Sequence, residues 1–179
     1  MLINVKSLRQ ANELITFNKD YQKNWISIRE TDFPELYNIF DSICNNVCIV
    51  KFDDVTYYSE EHNLSHPFFN SIRDHRKLIH FNENHAKKII DFALDVFHKN
   101  EILNIHCYAG RSRSQAIGYV LNQYFNLYLK HNKEDFKRNL LSNNEKFMGN
   151  PDVIKVMNEV LYKEKWYGDR IIFCTFKIN

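Results

Sequence analysis

The chain has 179 residues, enough for one domain of ordinary size with a substantial core and too few to expect two. Lysine plus arginine number 24 against 22 acidic residues, so a net charge of +2 gives no reason to expect a protein that coats nucleic acid or an acidic membrane, and any cationic feature must be local. Four glycines and four cysteines exclude a glycine-rich linker, a collagen-like or disordered composition, and a disulfide-dense secreted scaffold.

The N-terminal stretch MLINVKSLRQ has no basic segment followed by an apolar run, and no stretch is apolar enough to span a bilayer. A soluble cytoplasmic protein with reduced thiols is the expectation. Short runs rich in Ile and Val at Leu2–Val5, Trp25–Ile28, Val47–Phe52 and Ile102–Ile105 read as strands. Between the third and fourth, the stretch from Asp53 to Phe81 holds four of the eight histidines and shows no period; loops of that length are usually functional or mobile. Ala86, Ile89, Ile90, Ala93, Leu94 and Phe97 recur at three- and four-residue intervals and predict a helix from about Asn84 to His98. After the fourth strand, Ala116, Ile117, Val120, Leu121, Tyr124, Phe125 and Tyr128 form so wide an apolar surface that their helix should be central to the core. Two further helices are predicted near Lys133–Leu141 and Asp152–Lys163, the second preceded by Gly149 and Pro151 as stop and start. Strands alternating with helices predict a single α/β domain over residues 1–179. Its sheet should have four to five mostly parallel strands, with the ligand site at their carboxyl ends.

The fourth strand runs directly into His106-Cys107-Tyr108-Ala109-Gly110-Arg111-Ser112-Arg113-Ser114, and the central helix starts at once. A tight turn leading into a helix N-terminus presents backbone N–H groups and the helix dipole to an anion, and phosphate fits such a cradle. The same field favours a thiolate, so Cys107 is the expected nucleophile. Arg113 can grip two phosphate oxygens in a bidentate fork and stabilise the charge of a transferring phosphoryl group. Gly110 lets the loop bend with its N–H groups inward, Ser114 can donate a hydrogen bond toward the sulfur, and His106 is placed to brace the loop backbone.

HCYAGRSRS resembles the HCxxGxxRS phosphate-binding loop of the cysteine-based protein tyrosine phosphatase superfamily, and most of all its dual-specificity-like branch. Trp25–Ile28 and Val47–Val55 also look like the family's upstream strands, and Gly149–Leu161 looks like a late helix of small relatives. The resemblance implies a phosphatase-like fold and a two-step hydrolysis of phosphoric monoesters through a phosphocysteine, without metal or other cofactor. A phosphoprotein is the implied substrate. Phosphate would sit on residues Cys107, Tyr108, Ala109, Gly110, Arg111, Ser112 and Arg113. A carboxylic acid must then protonate the leaving oxygen and later activate water. FDDV resembles the family segment whose later aspartate has this role, which points to Asp54, with Asp53 second and Asp74 third. Asp54 lies further before the cysteine than the family's acid usually does, a gap that an insertion from about Tyr57 to Leu78 would explain.

Other readings stand beside these. A binding module that recognises phosphate without hydrolysing it is the competing reading of the loop. Arg111 is either a solvated side chain, the plainer reading, or a contact for substrates with more than one phosphate, such as phosphoinositides, inositol pyrophosphates or RNA 5′ ends. Arg73, His75, Arg76 and Lys77 are read as a solvated face in preference to a lining of that approach. Cys44 and Cys48 are expected as reduced, half-buried thiols rather than metal ligands or a redox partner of Cys107. His62 and His66 beside Glu60 and Glu61 have ligand-like spacing but no second ligand pair, so no metal site is expected. Ile171–Phe176 is expected to pack as a terminal strand.

Overall fold

The four Ile- and Val-rich runs form one sheet: β1 (Ile3–Ser7), β2 (Lys23–Arg29), β3 (Asn45–Lys51) and β4 (Leu103–Cys107), in the order β1-β4-β2-β3 with every neighbouring pair parallel. The structure is a computed structural model that describes residues 1–30, 34–55, 78–141 and 147–163. Because β4 lies between two neighbours and is covered on both faces, its burial is continuous. Ser7 of β1 pairs with Cys107, and Ser27 of β2 pairs with His106, so the carboxyl ends of these strands meet at one edge.

Side-chain alternation divides the sheet into two unequal layers. On one face Ile26, Ile28, Leu103 and Ile105 pack with Ile89 and Ile90 of α3 (Glu83–His98), Ile117 and Leu121 of α4 (Arg113–Asn122), and Met157 and Val160 of α6 (Pro151–Lys163). Between α4 and α6, α5 spans Lys133–Leu141. On the other face Trp25 meets Ala11 and Ile15 of α1 (Leu8–Phe17) and Phe40 of α2 (Asn38–Ile43). Its ring lies edge-on to Phe40 at 5.3 Å between centroids, and its indole N–H donates to the Tyr21 carbonyl at 2.6 Å. Truncating either fully buried ring to alanine should cost about 3–5 kcal/mol.

Caps mark where the helices begin. The Ser7 hydroxyl accepts the Gln10 amide while the Gln10 side chain accepts the Ser7 amide, a reciprocal box that starts α1 directly at the end of β1. Asn82 opens α3 in the same way with His85. Gly118 lets α4 lie close over β1: a Cβ there would fall 2.6 Å from a Val5 methyl carbon.

The four predicted strands are present with ends displaced by one or two residues, and the helices at 83–98, 133–141 and 151–163 agree with the spacing. The sheet is wholly parallel and four-stranded. The wide apolar helix is α-helical only to Asn122 and continues as a π-helical segment, Gln123–Leu129, which buries Tyr124 and Phe125. The apolar pattern did not bring out α1 and α2. The terminal run Ile171–Phe176 lies outside the described residues, as do His62, His66 and the stretch holding Arg73, Asp74, His75, Arg76 and Lys77. Among the described residues no helix is long and apolar enough to cross a membrane.

Candidate active site

Cys107 is the last residue of β4 and is buried. Two groups reach its sulfur. The Gly110 amide donates to Sγ at 3.2 Å, and the Ser114 hydroxyl lies 3.1 Å away. The loop can turn its amides back in this way because Gly110 has φ +74, which a side chain would strain. A Cβ at Gly110 would also come within 2.6 Å of the Ser7 amide nitrogen, so the turn is seated on the junction between β1 and α1. The Leu8 amide donates to the Tyr108 carbonyl at 3.1 Å and fixes the same junction. Tyr108, Ala109 and Arg111 are exposed.

Ser112 precedes the first residue of α4, yet its side chain makes no cap to the helix; its hydroxyl donates to Asp54 Oδ1 at 2.7 Å. A helix start without a side-chain cap, beside a turn of inward amides, suits an anion. Arg113 begins α4 with its guanidinium buried. Nη1 donates to the Phe52 carbonyl and Nη2 to Glu30 Oε1, both at 2.9 Å, while Nε lies 3.7 Å from Asp54 Oδ2 and has no hydrogen-bond acceptor. Burial opposes its charge, but the neighbouring Asp54, Cys107 and Glu30 outweigh it and raise the pKa above the ordinary arginine value. This cation is therefore held by the protein on one side and carries a spare donor, the state expected of a group that awaits an anionic ligand.

The two adjacent aspartates have separate surroundings. Asp53 is buried; its amide donates to the Ile79 carbonyl and its Oδ2 accepts the Ile79 amide, both at 2.8 Å. Asp54 is partly exposed and faces Ser112 and Arg113. Its Oδ1 also accepts from Asn150 Nδ2 at 3.1 Å. Of the two carboxylates, Asp54 is the one assembled with the loop.

His106 lies behind the loop. Its side chain leaves the opposite face of β4 from Cys107 and packs among Trp25, Tyr37 and Phe40, with ring centroids 5.7, 6.2 and 4.7 Å away. It braces the loop from behind by filling the space among these rings. Burial, reinforced by Arg29, pushes its pKa down to about 3, and it remains neutral. Cys44 and Cys48 are free thiols held far from ionisation; burial raises them to about 12 and about 11.

Two participants escaped the sequence reading. Glu30 directly follows β2, so it emerges at the same sheet edge as Cys107; that placement was an available signal, but only once β2 is known to lie beside β4. Asn150 precedes Pro151 at the start of α6, where the sequence suggests a helix cap and nothing more. Among the described residues no three His, Cys, Asp or Glu side chains form a group able to hold a metal ion.

No family model matches the chain, and no curated protein matches it. Solved structures do. Tk-PTP in its active form superposes with a TM-score of 0.52 at 12% identity, covering 91% of this chain and 93% of that one. A mutant form of Tk-PTP gives 0.50 at 14%, covering 92% and 93%. PTPMT1 gives 0.47 at 14%, covering 90% of each chain. The likeness to Tk-PTP is one of fold.

Proposed function

We propose that this chain is a phosphoric monoester hydrolase working through a phosphocysteine at Cys107. One observation carries the reading: a buried thiol at a strand-to-helix turn, with the Gly110 amide and the Ser114 hydroxyl on its sulfur, beside a buried arginine whose Nε has no acceptor.

In the first step the Cys107 thiolate attacks phosphorus as the ester P–O bond breaks, and Asp54 gives its proton to the departing oxygen. Arg113 and the loop amides hold the equatorial oxygens and stabilise their charge. In the second step a water attacks the phosphocysteine, Asp54 takes a proton from it, and the P–S bond breaks to return the thiolate and inorganic phosphate. Ser114, in contact with the sulfur, hydrogen-bonds the thiolate as it leaves. Glu30 fixes the guanidinium so that its fork need not reorganise during reaction. Asp53, tied to Ile79, is structural.

For the substrate we favour a phosphoprotein, with tyrosine-only or dual specificity. The exposure of Arg111 within the loop supports a second reading, in which a second phosphate of a phosphoinositide, an inositol pyrophosphate or an RNA 5′ end meets that side chain. Hydrolysis of phosphotyrosine and phosphothreonine peptides, a phosphoinositide and triphosphorylated RNA separates these, with Arg111→Ala slowing the multiply phosphorylated substrates selectively if the second reading holds. Hydrolysis of p-nitrophenyl phosphate that vanishes in Cys107→Ser is the result expected of the enzyme. Tight phosphopeptide binding with no turnover would instead make the chain a recognition module.

A further inference from the structure

We infer that Asn150 is a positioning residue that locks the general acid to the phosphate loop, an inference that rests on the hydrolase reading above. Asn150 is buried, and its side chain joins the start of α6 to the Asp54–Val55 segment. Its Oδ1 accepts the amides of Asp152 and Val153, at 3.0 and 3.2 Å, and so caps α6. With the oxygen committed to two donors, the amide nitrogen must face the other way. There Nδ2 donates to Asp54 Oδ1 at 3.1 Å and to the Val55 carbonyl at 3.2 Å. The Asn150 backbone amide points to the Ser112 carbonyl at 3.4 Å, and the Ser112 hydroxyl returns to the same Asp54 oxygen at 2.7 Å.

The consequence is geometric. Asp54 lies beyond the end of β3 in a segment without regular hydrogen bonding, so no sheet ladder sets its direction. Asn150 ties both the carboxylate and the adjoining backbone to a helix that packs against α4, the helix that carries Arg113. Because Ser112 and Asn150 share Oδ1, the rotation of the carboxyl group is set and Oδ2 is left on the side of Arg113. A general acid must lie within hydrogen-bond reach of the leaving oxygen, and small displacements cost large factors in rate.

The side chain's two ends can be tested apart. Asn150→Ser keeps a good helix cap but is too short to donate to Asp54 or Val55; Asn150→Asp also caps but offers a carboxylate where the donor was. Asn150→Ser should melt near the wild-type temperature, Asn150→Asp lower because it buries a carboxylate against Asp54 and the Val55 carbonyl, and rates are compared per folded molecule. For an alkyl or phenyl phosphate, whose leaving group needs a proton, kcat/KM should fall about tenfold, while kcat/KM for p-nitrophenyl phosphate, which reports the first step alone, stays within about threefold. In Asn150→Asp the basic limb of the pH–rate profile should also move to higher pH, because a second carboxylate makes the acid hold its proton more strongly. Placed on an Asp54→Asn background, either substitution should add no further leaving-group dependence. Equal losses on both substrates, undiminished losses on that background, or unchanged rates throughout would overturn the inference. Lack of Cys107-dependent turnover in the wild type would remove it together with the hydrolase reading, a failure seen before any Asn150 variant is made.

Discussion

The two ends of the sheet treat their polar groups in opposite ways. At the amino end Asn46 donates to Asn24, Asn24 to Glu101, Asn104 to the Lys23 carbonyl and Asn4 to Asn104, with Lys23 and Glu101 forming an ion pair over them. Asn24 and Asn46 adopt positive φ, a conformation asparagine tolerates better than most residues, and spend their side chains on each other. At the carboxyl end the buried Arg113 Nε has no hydrogen-bond acceptor, and the helix that follows Cys107 has no side-chain cap. Native proteins leave few buried polar groups without partners. The bare Nε and the uncapped helix start lie together beside the Cys107 thiol, where an anion would find its donors.

The contrast can be broken most severely at Arg113. Arg113→Lys keeps a positive charge but cannot hold Glu30, the Phe52 carbonyl and a phosphate at once, so kcat/KM should fall about 10³-fold, measured with p-nitrophenyl phosphate. The adjacent aspartates come next. Asp54→Asn should lower turnover of phenyl phosphate about 10²-fold with little change in melting temperature, whereas Asp53→Asn should lower the melting temperature and leave per-molecule turnover less affected, since its carboxylate is spent on the Ile79 amide. If the two variants behave alike, the division of roles between them is wrong.

At the amino end the expected loss is of stability alone. Asn24→Ala removes the bonds to Glu101 and Asn46 at a residue of φ 58, and should cost about 1–3 kcal/mol in denaturant unfolding with kcat unchanged. A fall in kcat would show that the two ends are not independent.

The smallest effect belongs to His106. Its folded pKa lies below the unfolded one, so the stability it contributes is full above pH 6.5 and is lost as pH falls from there toward about 3, because only the unfolded chain then takes up the proton. His106→Phe keeps a ring among Trp25, Tyr37 and Phe40 and removes the titrating group, so its stability relative to wild type should rise between pH 8 and pH 5. Urea unfolding at the two pH values reads the sign directly; a wild type that gains on the variant at pH 5 would refute it.

What could be read in the sequence depended on whether a residue's role is local. Cys107, Gly110, Arg113 and Ser114 act within one turn, and their spacing alone carries the cradle. The strands were legible because each is a short Ile- and Val-rich run. Helix α2 was not, since six residues bury only Phe40 and leave no period to see; α1 has Leu8, Ala11 and Ile15 on its inner face, but its other positions are so mixed that the stripe is thin. Glu30 and Asn150 reach the loop only through topology, being brought there by the β1-β4-β2-β3 order and by the packing of α6 on the same face as α4. Asp53 and Asp54 are neighbours that diverge, and the choice between them required knowing which one the Ile79 backbone occupies.

The account's central claim is a covalent bond between Cys107 and phosphorus. Wild-type protein quenched in acid during steady-state turnover of p-nitrophenyl phosphate, then digested for mass spectrometry, tests it most directly. The expected result is one phosphoryl group on the peptide that contains Cys107, more abundant in Asp54→Asn, where water is activated poorly in the second step, and absent in Cys107→Ser. Sustained turnover with no phosphoryl group on that peptide, or full activity in Cys107→Ser, would contradict it.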